Sequence, residues 1–245
     1  MHSTDNPGSS TETTAVPTEP TSNRLPVSFY WLPALILLFG SILILSLDLD
    51  RRVSSLFFSD NGEWNLADNG LFVFLYDFGP IPVFICAGLA ICLGLFRFRD
   101  SQFRFHRTLC LATVLLLALG PGLVINGIFK EHYGRPRPRN VTDFGGNQKF
   151  VPLLVYNPDG SGKSFPSGHA SMGFFWLGFV PWFAAAFPHR RTWMIFLTAG
   201  LLHGGLMGLG RIAQGGHFLG DVLWSAGFVY FIATALLVLF HPKKP

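Results

Sequence analysis

Three short stretches of the chain hold the residues whose types and spacing could do chemistry. They are Lys130-Glu131-His132-Tyr133-Gly134-Arg135-Pro136-Arg137-Pro138, then Ser164-Phe165-Pro166-Ser167-Gly168-His169, then Arg211 through His217 to Asp221. Lys130 and Arg137 offer a point charge and a planar fork, two complementary ways to grip a phosphate dianion. Ser167-Gly168-His169 opens an apolar segment, and the free N–H groups and positive dipole end of a helix start there suit an anion. Gly168 lets backbone come close to a ligand, Ser167 adds a hydroxyl donor, and His169 can give a proton to a leaving oxygen. His217 and Asp221 are four residues apart and share a face if helical. A carboxylate beside an imidazole fixes its tautomer and leaves one nitrogen nucleophilic. Arg211 adds a further cation. Read singly, these are a basic headgroup-level loop, a capped helix and a surface His-Asp pair. Their shared position at the ends of apolar segments makes them a phosphate site with a nucleophile and an acid.

The elements that must position them are membrane helices. The chain of 245 residues is 49% hydrophobic and 13% charged, with a mean hydropathy of +0.39, which excludes an ordinary soluble domain. The net charge of +4 is carried in loops between apolar segments, which argues against a nucleic-acid partner. Six apolar segments are expected as spans, at 28–47, 71–96, 109–129, 170–187, 192–209 and 219–240, most near the roughly 20 residues that cross hydrocarbon as a helix. The fold class is therefore all-α: a bundle of six transmembrane helices with the site at the extracytoplasmic ends of helices 3 to 6. Asp77, Gly79, Pro80 and Pro82 predict a bend early in the second span. The four residues Pro188 to Arg191 make spans four and five a tight antiparallel hairpin.

Residues 1–26, rich in Ser, Thr and Pro, are expected as a disordered cytoplasmic tail, and 27–245 as the membrane domain. The tail holds no apolar stretch and so is not read as a cleavable signal. Lys and Arg divide evenly between the two faces. The short basic loops 97–108 and 188–192 break the tie, because such loops belong in the cytoplasm. Both termini are then cytoplasmic, and the three motifs face outward from the cell (inner) membrane. Cys86, Cys92 and Cys110 lie within apolar segments and read as small core residues, not as a disulfide or metal cage.

The arrangement resembles the type 2 phosphatidic acid phosphatase superfamily, whose pattern is Lys-x6-Arg-Pro, Pro-Ser-Gly-His and Ser-Arg-x5-His-x3-Asp. Lys130, Arg137 and Pro138, then Pro166 to His169, then Arg211, His217 and Asp221 match it over roughly residues 71–240. Gly210 stands where the family usually has Ser, at the cost of one hydroxyl. The resemblance implies that His217 attacks phosphorus to form a phosphohistidine, Asp221 orients it, and His169 protonates the leaving group and later activates water. Lys130, Arg137, Ser167, Gly168 and Arg211 would hold the phosphoryl oxygens. It implies no metal and no cofactor, since cationic side chains neutralise the charge. The implied partner is a phosphorylated lipid in the bilayer: lipid A, undecaprenyl diphosphate, phosphatidylglycerol phosphate or phosphatidic acid, with lipid A favoured by the long outside loop. Two rivals are a lipid phosphotransferase using the same histidine and a non-catalytic lipid-binding or transport protein.

Other residues carry weaker signals. Arg135 and Arg139 are expected in a solvated loop, with contact to a second phosphate or a headgroup as the alternative. His132 reads as a surface residue. His203, inside the fifth span, reads as a packed neutral imidazole before a functional one. Phe144-Gly145-Gly146 with Phe150 and Pro152 reads as a turn with an apolar lip for substrate, a segment similar to some bacterial lipid A phosphatases.

Overall fold

The first span is apolar on every side, and that fixes where it sits. In this computed structural model, which describes residues 25–96, 104–187 and 190–240, helix α1 (Ser28–Ser46) buries only Ser41 and Ile44. A helix apolar all round and still exposed belongs against lipid. The burial of each span's most apolar stretch ranges from 11% in α1 to 44% in α10 (Leu219–Phe240), which makes α10 the centre of the bundle. The Trp224 indole donates to Ser41 Oγ at 3.0 Å, and the Tyr230 hydroxyl donates to the Phe29 carbonyl at 2.8 Å, tying α10 to α1.

A short helix, α2 (Leu49–Ser55), turns off the end of α1. The second span is α3 (Gly70–Phe78) followed by α4 (Ile81–Phe96), broken at Gly79-Pro80 as the Gly-Pro pair predicts. The Asn69 side chain caps α3 by accepting from the Leu71 and Phe72 amides. The third span runs from α5 (Arg104–Leu117) through a π-helical stretch, Ala118–Phe129, into a last α-turn, α6 (Lys130–His132). Pro121 lacks the amide that an α-helix would need, and Asn126 Nδ2 donates to its carbonyl at 2.5 Å. The widened helix sets the angular position at which Lys130 emerges.

The 170–187 segment is less regular than a single helix. It is built of α7 (Gly168–Gly173), a 3-10 stretch Phe174–Gly178 and α8 (Phe179–Ala186). Close packing explains the tightening: Gly173 lies directly against the Gly204 backbone of α9 (Arg190–Ala213), and a side chain at either position would collide. Phe175 in this segment is fully buried with Val229 and Ala233 of α10 in the main apolar core. Among the described residues, five helices are long and apolar enough to cross a membrane: Ser28–Ser46, Gly70–Leu95, Arg104–His132, Arg191–Ala213 and Leu219–Phe240. The 170–187 segment is a chain of shorter helical pieces packed inside them. α8 and α9 lie side by side, as the short connection requires.

Among the described residues there is no strand, only isolated bridges such as Gly134 to Gly162 and Val141 to Gln148, which crease the long connection between the third span and α7. The protein is thus all-helical and multi-pass. The tail to residue 24, most of the 97–108 loop and Pro188-His189 lie outside the described residues.

Candidate active site

The three motifs meet in one cavity of about 450 Å³, lined by Lys130, Arg137, His169, Arg211 and His217, with Tyr76, Arg139, Gln214 and Asp68 completing the wall and rim. Arg137 comes from the loop just before the 3-10 turn Pro138–Asn140, and the other four come from helix ends: Lys130 from α6, His169 from α7, Arg211 from the last turn of α9, His217 from the turn before α10. That turn closes because Gly215 takes φ +63°, a left-handed conformation open to glycine, while the Gly216 amide donates to the Arg211 carbonyl at 2.8 Å. A side chain at Gly216 would strike the Arg211 guanidinium, so Gly216 lets Arg211 lie along the backbone.

The cations are aimed but not satisfied. Arg211 Nη1 donates to Gln214 Oε1 at 2.6 Å, and its guanidinium carbon stands 4.6 Å over the Tyr76 ring. Its buried Nε has no hydrogen-bond partner. A buried donor left without an acceptor costs free energy, and a bound oxyanion would relieve it. Burial, and then the neighbouring Arg139, pull the Arg137 guanidinium below its ordinary range. A dianion in the cavity would offset that repulsion.

His217 is held by a carbonyl. Its Nδ1 lies 2.6 Å from the Ser164 backbone oxygen. A carbonyl only accepts, so Nδ1 carries the proton and Nε2 keeps its lone pair. Burial pushes the imidazole down to about 4, which keeps it neutral at physiological pH against the pull of Asp221. Asp221 Oδ2 stands 3.7 Å from Nδ1, too far for a hydrogen bond. His217 precedes α10 instead of lying on it, so Asp221 pairs with the imidazole as a close charge and not through a direct hydrogen bond. Asp221 instead accepts from Ser164 Oγ at 2.5 Å and from the Phe218 amide at 2.8 Å, so it braces the segment that holds His217. His169 stacks on Tyr76 of α3, with ring centroids 4.2 Å apart and planes 15° from parallel.

Ser167, Gly168 and Asp221 stand behind the cavity and not on its surface. Ser167 caps α7 by accepting from the Ala170 amide at 3.3 Å, and its own amide donates to the Asp221 carbonyl. A side chain at Gly168 would meet Lys130 Nζ at 2.9 Å, so this glycine makes room for the ammonium. Gly210 faces Phe72 and does not line the cavity, so a serine hydroxyl there would meet an aromatic ring.

Expectations for Arg135 and Phe144 are corrected, while those for Arg139 and His203 hold. Arg135 is in no solvated loop: it is fully buried, donating to Asp50 Oδ2 and Asp221 Oδ1 at 2.5 Å each and from Nε to the Val151 carbonyl at 3.0 Å. Arg139 is exposed at the cavity rim. Phe144 is no open lip. It is buried in an aromatic cluster with Phe58 and Trp64, each 5.4 Å away, while Phe150 meets Phe218 edge to face. His203 accepts from the Trp176 indole at 3.0 Å, away from the cavity. Sequence reading missed Asp50, Ser164 and Tyr76. Only the Ser164 position, at the edge of a motif, offered a signal. Among the described residues no three His, Cys, Asp or Glu side chains gather as a metal site would need.

A membrane bundle with a cationic, histidine-bearing cavity defines a phosphatase class, and comparison agrees. The PAP2 superfamily profile matches residues 107–245, more than half of the chain, and the chain belongs to that superfamily. The enzyme is a PAP2-type phosphatase. A lipid A 4'-phosphatase of Francisella tularensis subsp. novicida is 35% identical over 178 residues, 72% of this chain and 78% of that protein, so the likeness extends beyond the motifs. A lipid A 4'-phosphatase of Rhizobium leguminosarum is 34% identical, over only 49% of this chain and 51% of its own length. Phosphatidylglycerophosphatase B of Bacillus subtilis is 28% identical over 52% of this chain and 58% of its own. No solved structure matches.

Proposed function

We propose that the protein removes a phosphate from lipid A, or a closely similar phosphorylated lipid, at the extracytoplasmic face of the inner membrane. The observation that carries the chemistry is the cavity itself: a neutral histidine with its Nδ1 proton committed to a carbonyl, facing three cations and a second histidine. His217 Nε2 attacks phosphorus in line with the leaving oxygen, which departs as His169 protonates it. The phosphoryl group rests on His217, and water activated by His169 then releases it. Lys130, Arg137 and Arg211 hold the equatorial oxygens, with the α7 N-terminus set up by Ser167 and Gly168 behind them. Asp221 stabilises the imidazolium that forms.

Two supports favour the lipid A reading over phosphatidylglycerol phosphate. The relative sharing the longer alignment carries the lipid A 4'-phosphatase name, and this chain covers most of it. The long connection from Glu131 to Gly168 is also held at the site end, with Val141 and Phe144 packed against Phe218, the residue after His217. The topology completes the reading. Six spans result if the α7–α8 segment crosses as one unit, and the basic loops then lie in the cytoplasm.

The test is a panel of lipid phosphates with purified protein in detergent, run with and without EDTA. Release of phosphate from lipid A, unchanged by EDTA and needing no lipid acceptor, is expected. Turnover that needs an acceptor lipid would establish the phosphotransferase, and loss on chelation restored by Mg²⁺ would defeat the metal-free chemistry. In intact cells whose outer barrier is permeabilised, a cysteine at Asn147 should react with an impermeant reagent before the inner membrane is lysed; reaction only after lysis reverses the orientation.

A further inference from the structure

Behind His217 lies a buried row of three charges that the mechanism above uses only at one end. Arg135 is 0% exposed and bridges Asp50 at 2% and Asp221 at 0%. Asp50 comes from α2, the helix after the first span, and lies outside the segment that matches the family profile. Its second oxygen accepts the Gly220 amide at 2.8 Å, next to Asp221 in the first turn of α10. We propose that Asp50 is a positioning residue: by engaging Arg135 it preserves the negative charge of Asp221 toward His217 and fixes the start of α10 beneath the nucleophile.

The charge count makes the case. Attack by His217 turns a neutral ring into a phosphorylated imidazolium, and a nearby net negative charge stabilises it. Asp221 alone supplies that charge. Arg135, in contact with the other oxygen of Asp221, offsets part of it in an interior that screens little. Asp50 restores the balance: two carboxylates and one guanidinium carry the net charge of a single carboxylate, while every oxygen is hydrogen-bonded and immobile. The Arg135 guanidinium is further pinned over Phe218, 4.7 Å from the ring centroid, in the residue directly after His217. Asp50 thus reaches the nucleophile by two routes, through charge on Asp221 and through geometry at Phe218 and Gly220. Beside Asp50 is a pocket of about 220 Å³, lined also by Ile44, Phe150 and Leu153, with room for one more methylene.

This inference rests on His217 as the nucleophile. Steady-state kinetics on a lipid phosphate separate the two claims. Wild-type protein that releases no phosphate defeats the functional reading. An active wild type with an equally active Asp50→Asn variant defeats only this one. Asp50→Asn should lower kcat by about 10- to 100-fold, the size of effect seen when a hydrogen-bond partner behind a metal ligand is lost, with KM within about twofold. Asp50→Glu keeps the charge and uses the adjoining pocket, and should recover most of that loss. The double variant Asp50→Asn with Arg135→Gln again leaves one net negative charge, and should have a higher kcat than Asp50→Asn alone. Equal impairment of the Asn and Glu variants, or a double variant slower than Asp50→Asn, would reduce Asp50 to packing and overturn the proposal. Should Asp50→Asn not accumulate folded in detergent, the Glu and double variants carry the same decision: both active supports the charge balance, both inactive refutes it.

Discussion

His217→Ala should release no phosphate from any substrate, whereas His169→Ala should lose activity in proportion to how badly the leaving group needs a proton. The first removes the attacking nitrogen, and nothing else in the cavity has a free lone pair held in place by a carbonyl as His217 Nε2 does. The second removes the acid. An alkyl or sugar oxygen leaves poorly without protonation, while an aryl oxygen leaves readily. General acid catalysis is worth about 10²–10⁴-fold, so the His169 variant should lose that much on lipid phosphates and far less on an aryl phosphate. Parallel kinetics on the two substrates decide it. Equal loss on both would remove His169 from the acid role and reassign it, through its stacking on Tyr76, to the wall of the site.

Arg135→Leu should unfold the protein at a markedly lower temperature. Leucine fills much of the space but strands two carboxylates, Asp50 and Asp221, in an interior where neither reaches water. Breaking a buried ion network by removing one partner costs about 3–5 kcal/mol. For a chain of this size each kcal/mol shifts the melting temperature by about 2–4 °C, so a fall near 10 °C is expected in a detergent-solubilised thermal melt. Arg135→Lys should fall between, because an ammonium keeps the charge but lacks the fork that spans both carboxylates. A leucine variant melting within about 2 °C of wild type would mean that the network does not carry the stability assigned to it.

Arg135 also shows where sequence reading stops. Lys130, Arg137, His169, Arg211 and His217 were legible because their spacing relative to span ends is local information, and the cavity does collect them. Arg135 looked like one more cation in a basic loop. Its partners are 85 and 86 residues away, and no local pattern announces a pairing made by α2 and α10 meeting in space. His217 and Asp221 were legible as a pair but not in their geometry. The helix begins two residues after His217, so the i, i+4 spacing does not bring the rings and oxygens into hydrogen-bond contact, and a backbone carbonyl from the Ser164 loop takes the proton instead. Ser167 was legible as a residue that opens a helix, and its oxygen caps α7 by accepting from the Ala170 amide. The apolar segments were readable from composition. The mixed helical character of 168–186 was not, because it follows from the close approach of Gly173 and Gly204 on different helices.

The most direct measurement is to trap the covalent intermediate. Purified protein mixed with lipid phosphate labelled in the phosphoryl group, quenched within a turnover in alkali and mapped by peptide, should carry an acid-labile, base-stable phosphate on His217, absent from His217→Ala and accumulating in His169→Ala when the label comes from an aryl phosphate. Phosphate release by the wild type with no phosphohistidine at any quench time, or a label that persists in His217→Ala, would contradict the account.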